Sequence, residues 1–166
     1  MKAFLFTWIA LVVLSPLAAH ADIGRFSKVE ANIYRGAQPQ NVSDYQQLQQ
    51  LGVHTIINLR TTPDAIQAEA QVAQALNMSF VSYPIDGMSY PNEVTVNAIL
   101  ADLQNPQLFP IFIHCNAGQD RTGLIIGLFR VKHDHWNPND AYNEMLSNGF
   151  TEGLVGLKQY FWDHVH

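Results

Sequence analysis

The stretch HCNAGQDRTG, from His114 to Gly123, holds the only cysteine of a 166-residue chain. It follows a hydrophobic run and leads into a helical pattern. A lone thiol there is a small buried apolar group, an unpaired thiol or a nucleophile. Its neighbours bear on the choice. Ala117 and Gly118 are small enough to let backbone amides turn inward, and such a loop at a helix N-terminus is an anion site. Arg121 adds a planar, bidentate donor suited to a tetrahedral oxyanion. The expected cradle is therefore Asn116, Ala117, Gly118, Gln119, Asp120 and Arg121. The same positive surroundings lower the pKa of Cys115 and make thiolate at neutral pH. Thr122 brings a hydroxyl close to the sulfur, where it assists departure of the thiolate. His114 orients the loop rather than acting as a base.

Such a loop needs a strand before it and a helix after it. Asn32 to Gly36 reads as a short strand, and Ser43 to Gly52 as a helix opened by a capping serine. Val53 to Arg60 is a β-rich apolar run. Thr62-Pro63-Asp64 starts a second helix, with Ile66, Ala70, Ala73 and Leu76 as its buried stripe. Ser79 to Ile85 is a third strand. Asn92 caps a helix with Val96, Ile99, Leu100 and Leu103 on one face. Phe109 to Cys115 is the most hydrophobic strand and belongs at the centre. From Arg121 the pattern stays helical, with breaks near Asn137-Pro138 and Asn148-Gly149. The fold class is thus α/β, a central and mostly parallel sheet flanked by helices. In such sheets sites form beyond the carboxyl ends of the strands. Arg60, Asp86 and Cys115 each lie at or just past a strand end.

The net charge of −5 argues against a nucleic-acid partner or an anionic membrane surface. The closely spaced histidines, His133 with His135 and His164 with His166, lack further ligands at metal spacing and read as surface residues. No metal and no cofactor is expected. Residues 1–21 read as a signal peptide: Lys2, a continuous apolar run, then Ala19-His20-Ala21 before Asp22. A membrane anchor is the competing reading, since the run approaches spanning length. Pro16 and the small residues after it favour cleavage. Residues 22–166 are then one exported domain, periplasmic or secreted, with no stable membrane anchor after cleavage. One cysteine leaves no intramolecular disulfide.

H-C-x-x-G-x-x-R-T-G, filled by His114, Cys115, Gly118, Arg121, Thr122 and Gly123, resembles the signature of the cysteine-dependent protein tyrosine phosphatases. The segments IYRGAQP and TIINLR resemble the compact bacterial and atypical dual-specificity members. The resemblance covers about the whole mature domain and implies attack by Cys115 on phosphorus, a phosphocysteine intermediate and its hydrolysis. It also implies a carboxyl acid on a nearby loop, and Asp86 stands where dual-specificity members carry theirs. Asp64 reads better as part of a helix start. Asp120, directly before the signature arginine, is the alternative acid; an aspartate there resembles phosphatases that accept phosphoinositides, although the lysine usual in such bacterial loops is missing. The implied substrates are phosphorylated proteins, with phosphoinositides or inositol phosphates as the alternative. A rhodanese-type sulfurtransferase has no need of the Arg121 clamp, and an inactive phosphate-binding module has no need of nucleophile and acid together. Arg35 reads as an ion pair tying loops together, and Arg60 is divided between that role and substrate contact.

Overall fold

A computed structural model describes residues 23–165. The proposed signal peptide lies outside them. Five strands and six α-helices follow one another in an almost alternating order. Strands β1 (Ser27–Glu30) and β2 (Ile33–Gly36) are followed by α1 (Val42–Gln50), β3 (Thr55–Asn58), α2 (Pro63–Ala75) and β4 (Ser79–Ser82). Then come α3 (Glu93–Asp102), β5 (Ile111–His114), α4 (Asp120–Lys132), α5 (Pro138–Ser147) and α6 (Val155–Asp163). The sheet order is β1-β2-β5-β3-β4. Pairings β2–β5, β5–β3 and β3–β4 are parallel, while β1 adds an antiparallel edge that the sequence pattern had not suggested. As expected, β5 is central, and all four of its residues are buried.

Alternation along each strand sends neighbouring side chains to opposite faces. Ile111 and Ile113 of β5 and Ile57 of β3 face a core shared with α3, α4, α5 and α6. Phe112 and Ile56 face a smaller core closed by Tyr45 and Leu48 of α1 and Ala73 of α2. The α3 stripe of Val96, Ile99, Leu100 and Leu103 is buried as the spacing predicts. Helix α4 is buried from Thr122 through Arg130, which is what apolar residues all round a helix require.

Two expectations about the helices need correction. Asn41, not Ser43, caps α1: its side chain accepts from the Asp44 amide, and the Asp44 carboxylate accepts from the amides of Gln40 and Asn41. Serine has the right chemistry, but the better acceptor stands two residues earlier. On α2 the buried members are Ala73 and Glu69, whereas Ile66, Ala70 and Leu76 are only half-buried. Glu69 lies three residues past Ile66 and four before Ala73, so it shares the inward face.

Candidate active site

The loop between β5 and α4 is built from the outside. Five successive carbonyls, from Cys115 to Gln119, all find donors. His114 Nδ1 lies 2.9 Å from the Cys115 oxygen, and the Gln38 amide donates to that of Asn116 at 3.1 Å. Arg25 Nη1 donates to Ala117 O at 3.3 Å, Arg35 Nη2 to Gly118 O at 2.7 Å, and the Gly123 amide to Gln119 O at 2.7 Å. In a planar trans peptide the carbonyl and the following N–H point opposite ways. Carbonyls held outward thus aim the N–H groups of Asn116, Ala117, Gly118, Gln119 and Asp120 inward, at the mouth of α4. Gly118 has φ +70°, and a Cβ on it would lie 2.4 Å from the Gly36 carbonyl carbon. Only glycine meets both demands.

Cys115 is 2 % exposed at the floor of this loop. Burial pushes its thiol up, but the Thr122 hydroxyl and amide, the Arg121 charge and the Gly118 amide outweigh that and hold the pKa below the ordinary thiol value. The buried Thr122 hydroxyl has no nitrogen or oxygen partner among the described residues, and its stabilising effect falls on the thiolate. The Arg121 guanidinium leans on the carbonyls of Leu59 and Ile85 at 3.4 and 3.5 Å. Ile85 leads into the loop that carries Asp86, and a Cβ on Gly87 would lie 3.8 Å from Arg121 Nε. The small residue lets this loop lie on the arginine, so the exposed Asp86 stands at the same mouth. Its carboxylate accepts from the Ser89 hydroxyl and, at 3.0 Å, from the Met88 amide. Those two bonds, with the Arg121 charge, hold the Asp86 pKa below the usual carboxylate range.

A model of the tyrosine phosphatase family matches residues 22–161. The chain belongs to that family. It is a phosphatase. Among curated relatives, the dual specificity protein phosphatase TpbA of Pseudomonas aeruginosa is 29% identical over 75% of this chain and 55% of its own length. The inositol diphosphatase DSP3 of Arabidopsis thaliana is 29% identical over 77% of this chain and 64% of its own. The crystal structure of the catalytic core of the Saccharomyces cerevisiae PP-IP phosphatase SIW14 superposes with a TM-score of 0.74 at 24% identity, covering 86% of each chain. The crystal structure of TpbA gives 0.71 at 25% identity, over 86% of this chain and 85% of that one.

Within this phosphatase the other two candidate acids are held differently. Asp120, at the first turn of α4, accepts the Thr151 amide at 2.7 Å and ties the loop to the segment before α6. Its neighbour Gln119 donates to Gly149 O at 2.9 Å, fastening the same two segments. Asp64 sits exposed in the first turn of α2. Arg60 donates to the Gln38 side chain, a neutral partner, and Arg35 makes no ion pair among the described residues, so the loop-tying ion pair expected of it is absent.

Sequence reasoning missed Glu69. Because His114 precedes Cys115 by one position, it faces the opposite side of the sheet, toward α2. There its Nε2 lies 3.1 Å from Glu69 Oε1, with both side chains buried. Glu69 also accepts from Asn58 Nδ2 and from the Tyr45 hydroxyl at 3.3 Å. The imidazole is thereby fixed with Nδ1 directed at the Cys115 carbonyl, the orienting role expected of His114. The available signal was a glutamate on the inward stripe of a helix.

Proposed function

We propose that this phosphatase is a phosphoprotein phosphatase of the dual-specificity kind, with Cys115 as nucleophile, Asp86 as acid and the loop from Asn116 to Arg121 as phosphate clamp. The observation that carries the reading is the run of five outward-held carbonyls above a depressed thiol. Sulfur attacks phosphorus, the S–P bond forms as the P–O bond to the leaving group breaks, and Asp86 hands its proton to the departing oxygen. The inward amides and Arg121 meet the charge on the phosphoryl oxygens. Water then attacks the phosphocysteine, with Asp86 taking its proton and Thr122 steadying the thiolate that leaves.

Support for a protein substrate comes from the rim. Met88 is 77% exposed and Tyr90 47% exposed beside Asp86, an apolar edge suited to an aryl or aliphatic side chain. TpbA has been crystallised in complex with pTyr. The alternative, an inositol phosphate, draws on Arg25 and Arg60, cations beside the loop, and on the names of DSP3 and SIW14. Rates on phosphotyrosyl and phosphoseryl peptides, phosphoinositide vesicles and inositol phosphates decide between them. Peptide turnover should dominate and survive EDTA; a preference for inositol phosphates overturns the substrate reading. Cys115→Ser should lose turnover yet bind phosphate, and Arg121→Ala should lose both. Asp86→Asn should lose on the order of 10²–10⁴ in kcat with poor leaving groups and far less with good ones. If Asp120→Asn shows that pattern instead, the acid is Asp120.

The reading includes export, with residues 1–21 as the removed signal. Mass spectrometry of protein from the producing cell should give an N-terminus at Asp22, whereas an intact Met1 in a membrane fraction points to an anchor.

A further inference from the structure

Arg35 is the largest fully buried side chain of the described residues, at 2 % exposure. It leaves β2 on the same face as Ile33, because side chains alternate, and so enters the space between the loop and α4. Nη2 donates to Gly118 O at 2.7 Å. Nε and Nη1 have no acceptor among the described residues. Gly123 of α4 leaves the necessary room, since a Cβ there would lie 4.0 Å from Nη2. The carboxylate of strongest influence on Arg35 is Glu144 of α5, but both its oxygens are taken by Arg130, at 3.1 Å each. Arg130 and Arg25, which also face Arg35, are cations and oppose it.

Burying a guanidinium without a bonded carboxylate is costly, and folded chains compensate such a charge nearby. The anion that this architecture brings within reach is the one held in the loop. We propose that Arg35 is a positioning residue: it turns the Gly118 carbonyl outward, and its buried charge is balanced by the anion in the loop, first the Cys115 thiolate and then the bound phosphate. Burial disfavours the charged form of Arg35, and Cys115, after Glu144, is the group that favours it. Arg121 of α4 is the other cation that acts on Cys115, while His114 lies on the opposite face of the sheet and Asp86 at the mouth, so Arg35 is the buried cation behind the loop. The segment that carries it does related work: a Cβ on Gly118 would meet Gly36 and Ala37, and the Gln38 amide holds the Asn116 carbonyl.

The proposal rests on the phosphatase reading, but its test does not need turnover. The pH midpoint for alkylation of Cys115 by iodoacetamide reports the thiolate directly. Arg35→Met, checked for native circular dichroism, is expected to raise that midpoint by about one unit, a shift typical of losing a nearby opposite charge. Arg35→Lys keeps the charge but not the planar fork; it is expected to restore the midpoint and still weaken vanadate protection of Cys115 against alkylation at least about fivefold. An unmoved midpoint in folded Arg35→Met overturns the proposal. Should Arg35→Met not fold, Arg35→Lys decides alone: weakened vanadate protection against alkylation supports the assignment, and wild-type protection overturns it. A structural prop would lower the melting temperature of both variants without moving the midpoint, which also counts against the proposal. Failure of the phosphatase reading has a separate signature, a normal midpoint shift in a protein that hydrolyses no phosphate ester.

Discussion

Asp86 is placed at the mouth of the loop but in the wrong electrostatic state for an acid at rest. The Ser89 hydroxyl and the Met88 amide both stabilise its ionised form, and Arg121 adds to that. A general acid works protonated, so its pKa sets the basic limb of the rate profile, while formation of the Cys115 thiolate sets the acidic limb. Removing the first of those hydrogen bonds, in Ser89→Ala, raises the Asp86 pKa. The basic limb of kcat/KM should move to higher pH and the acidic limb should stay where it was. A basic limb that does not move removes Asp86 from the role. At this scale, Cys115, Arg121 and Thr122 were readable because their chemistry is local in sequence. Arg25, Arg35 and Gln38 were not, since each reaches a loop carbonyl far along the chain and only the fold brings them there.

The elements were legible wherever one period ran long enough to express itself. Helix α3 shows all four predicted apolar residues buried, and β5 lies at the centre because its run is apolar on both faces. The edge strand β1 escaped notice because Ser27, Lys28 and Glu30 leave only Val29 to mark a buried face. What no period encodes is how tightly β2 abuts the loop. Gly118→Ala tests that contact, since the new methyl would lie 2.4–2.6 Å from the backbone of Gly36 and Ala37 at a residue already held at φ +70°. The strain alone amounts to about 1–3 kcal/mol, and relief requires moving the loop away from β2. Gly52→Ala is the control: φ is +75°, but open space surrounds it. Both variants should lose stability in urea titrations, the first by more, and only Gly118→Ala should lose most of its activity. Equal activity in the two would mean that the loop does not depend on its seat against β2.

At the scale of the whole molecule, a thiolate held at the head of the sheet ties global stability to pH. The pKa of Cys115 is lowered in the folded state, whereas an unfolded chain returns it to about 8.5. Between those values the native state is ionised and the unfolded state keeps its proton, so stability rises with pH. The contribution is complete above about 8.5 and is lost as pH falls through the folded pKa. Asp86 and Glu152, whose pKa values are also lowered, give the same kind of dependence at lower pH, but they are present in Cys115→Ser as well and cancel in the difference. Urea unfolding of the two proteins under reducing conditions, from pH 5 to pH 9, isolates the thiolate. Wild type should gain on Cys115→Ser as pH rises, by about 1.4 kcal/mol for each unit that the thiol pKa is depressed, and the gain should level off near pH 8.5. Adding phosphate should narrow the difference, because the oxyanion supplies to Cys115→Ser the negative charge that the loop amides, Arg121 and Arg35 surround. A difference that stays flat across the range would mean that the folded protein carries a neutral thiol, and the nucleophile would then need another source of activation.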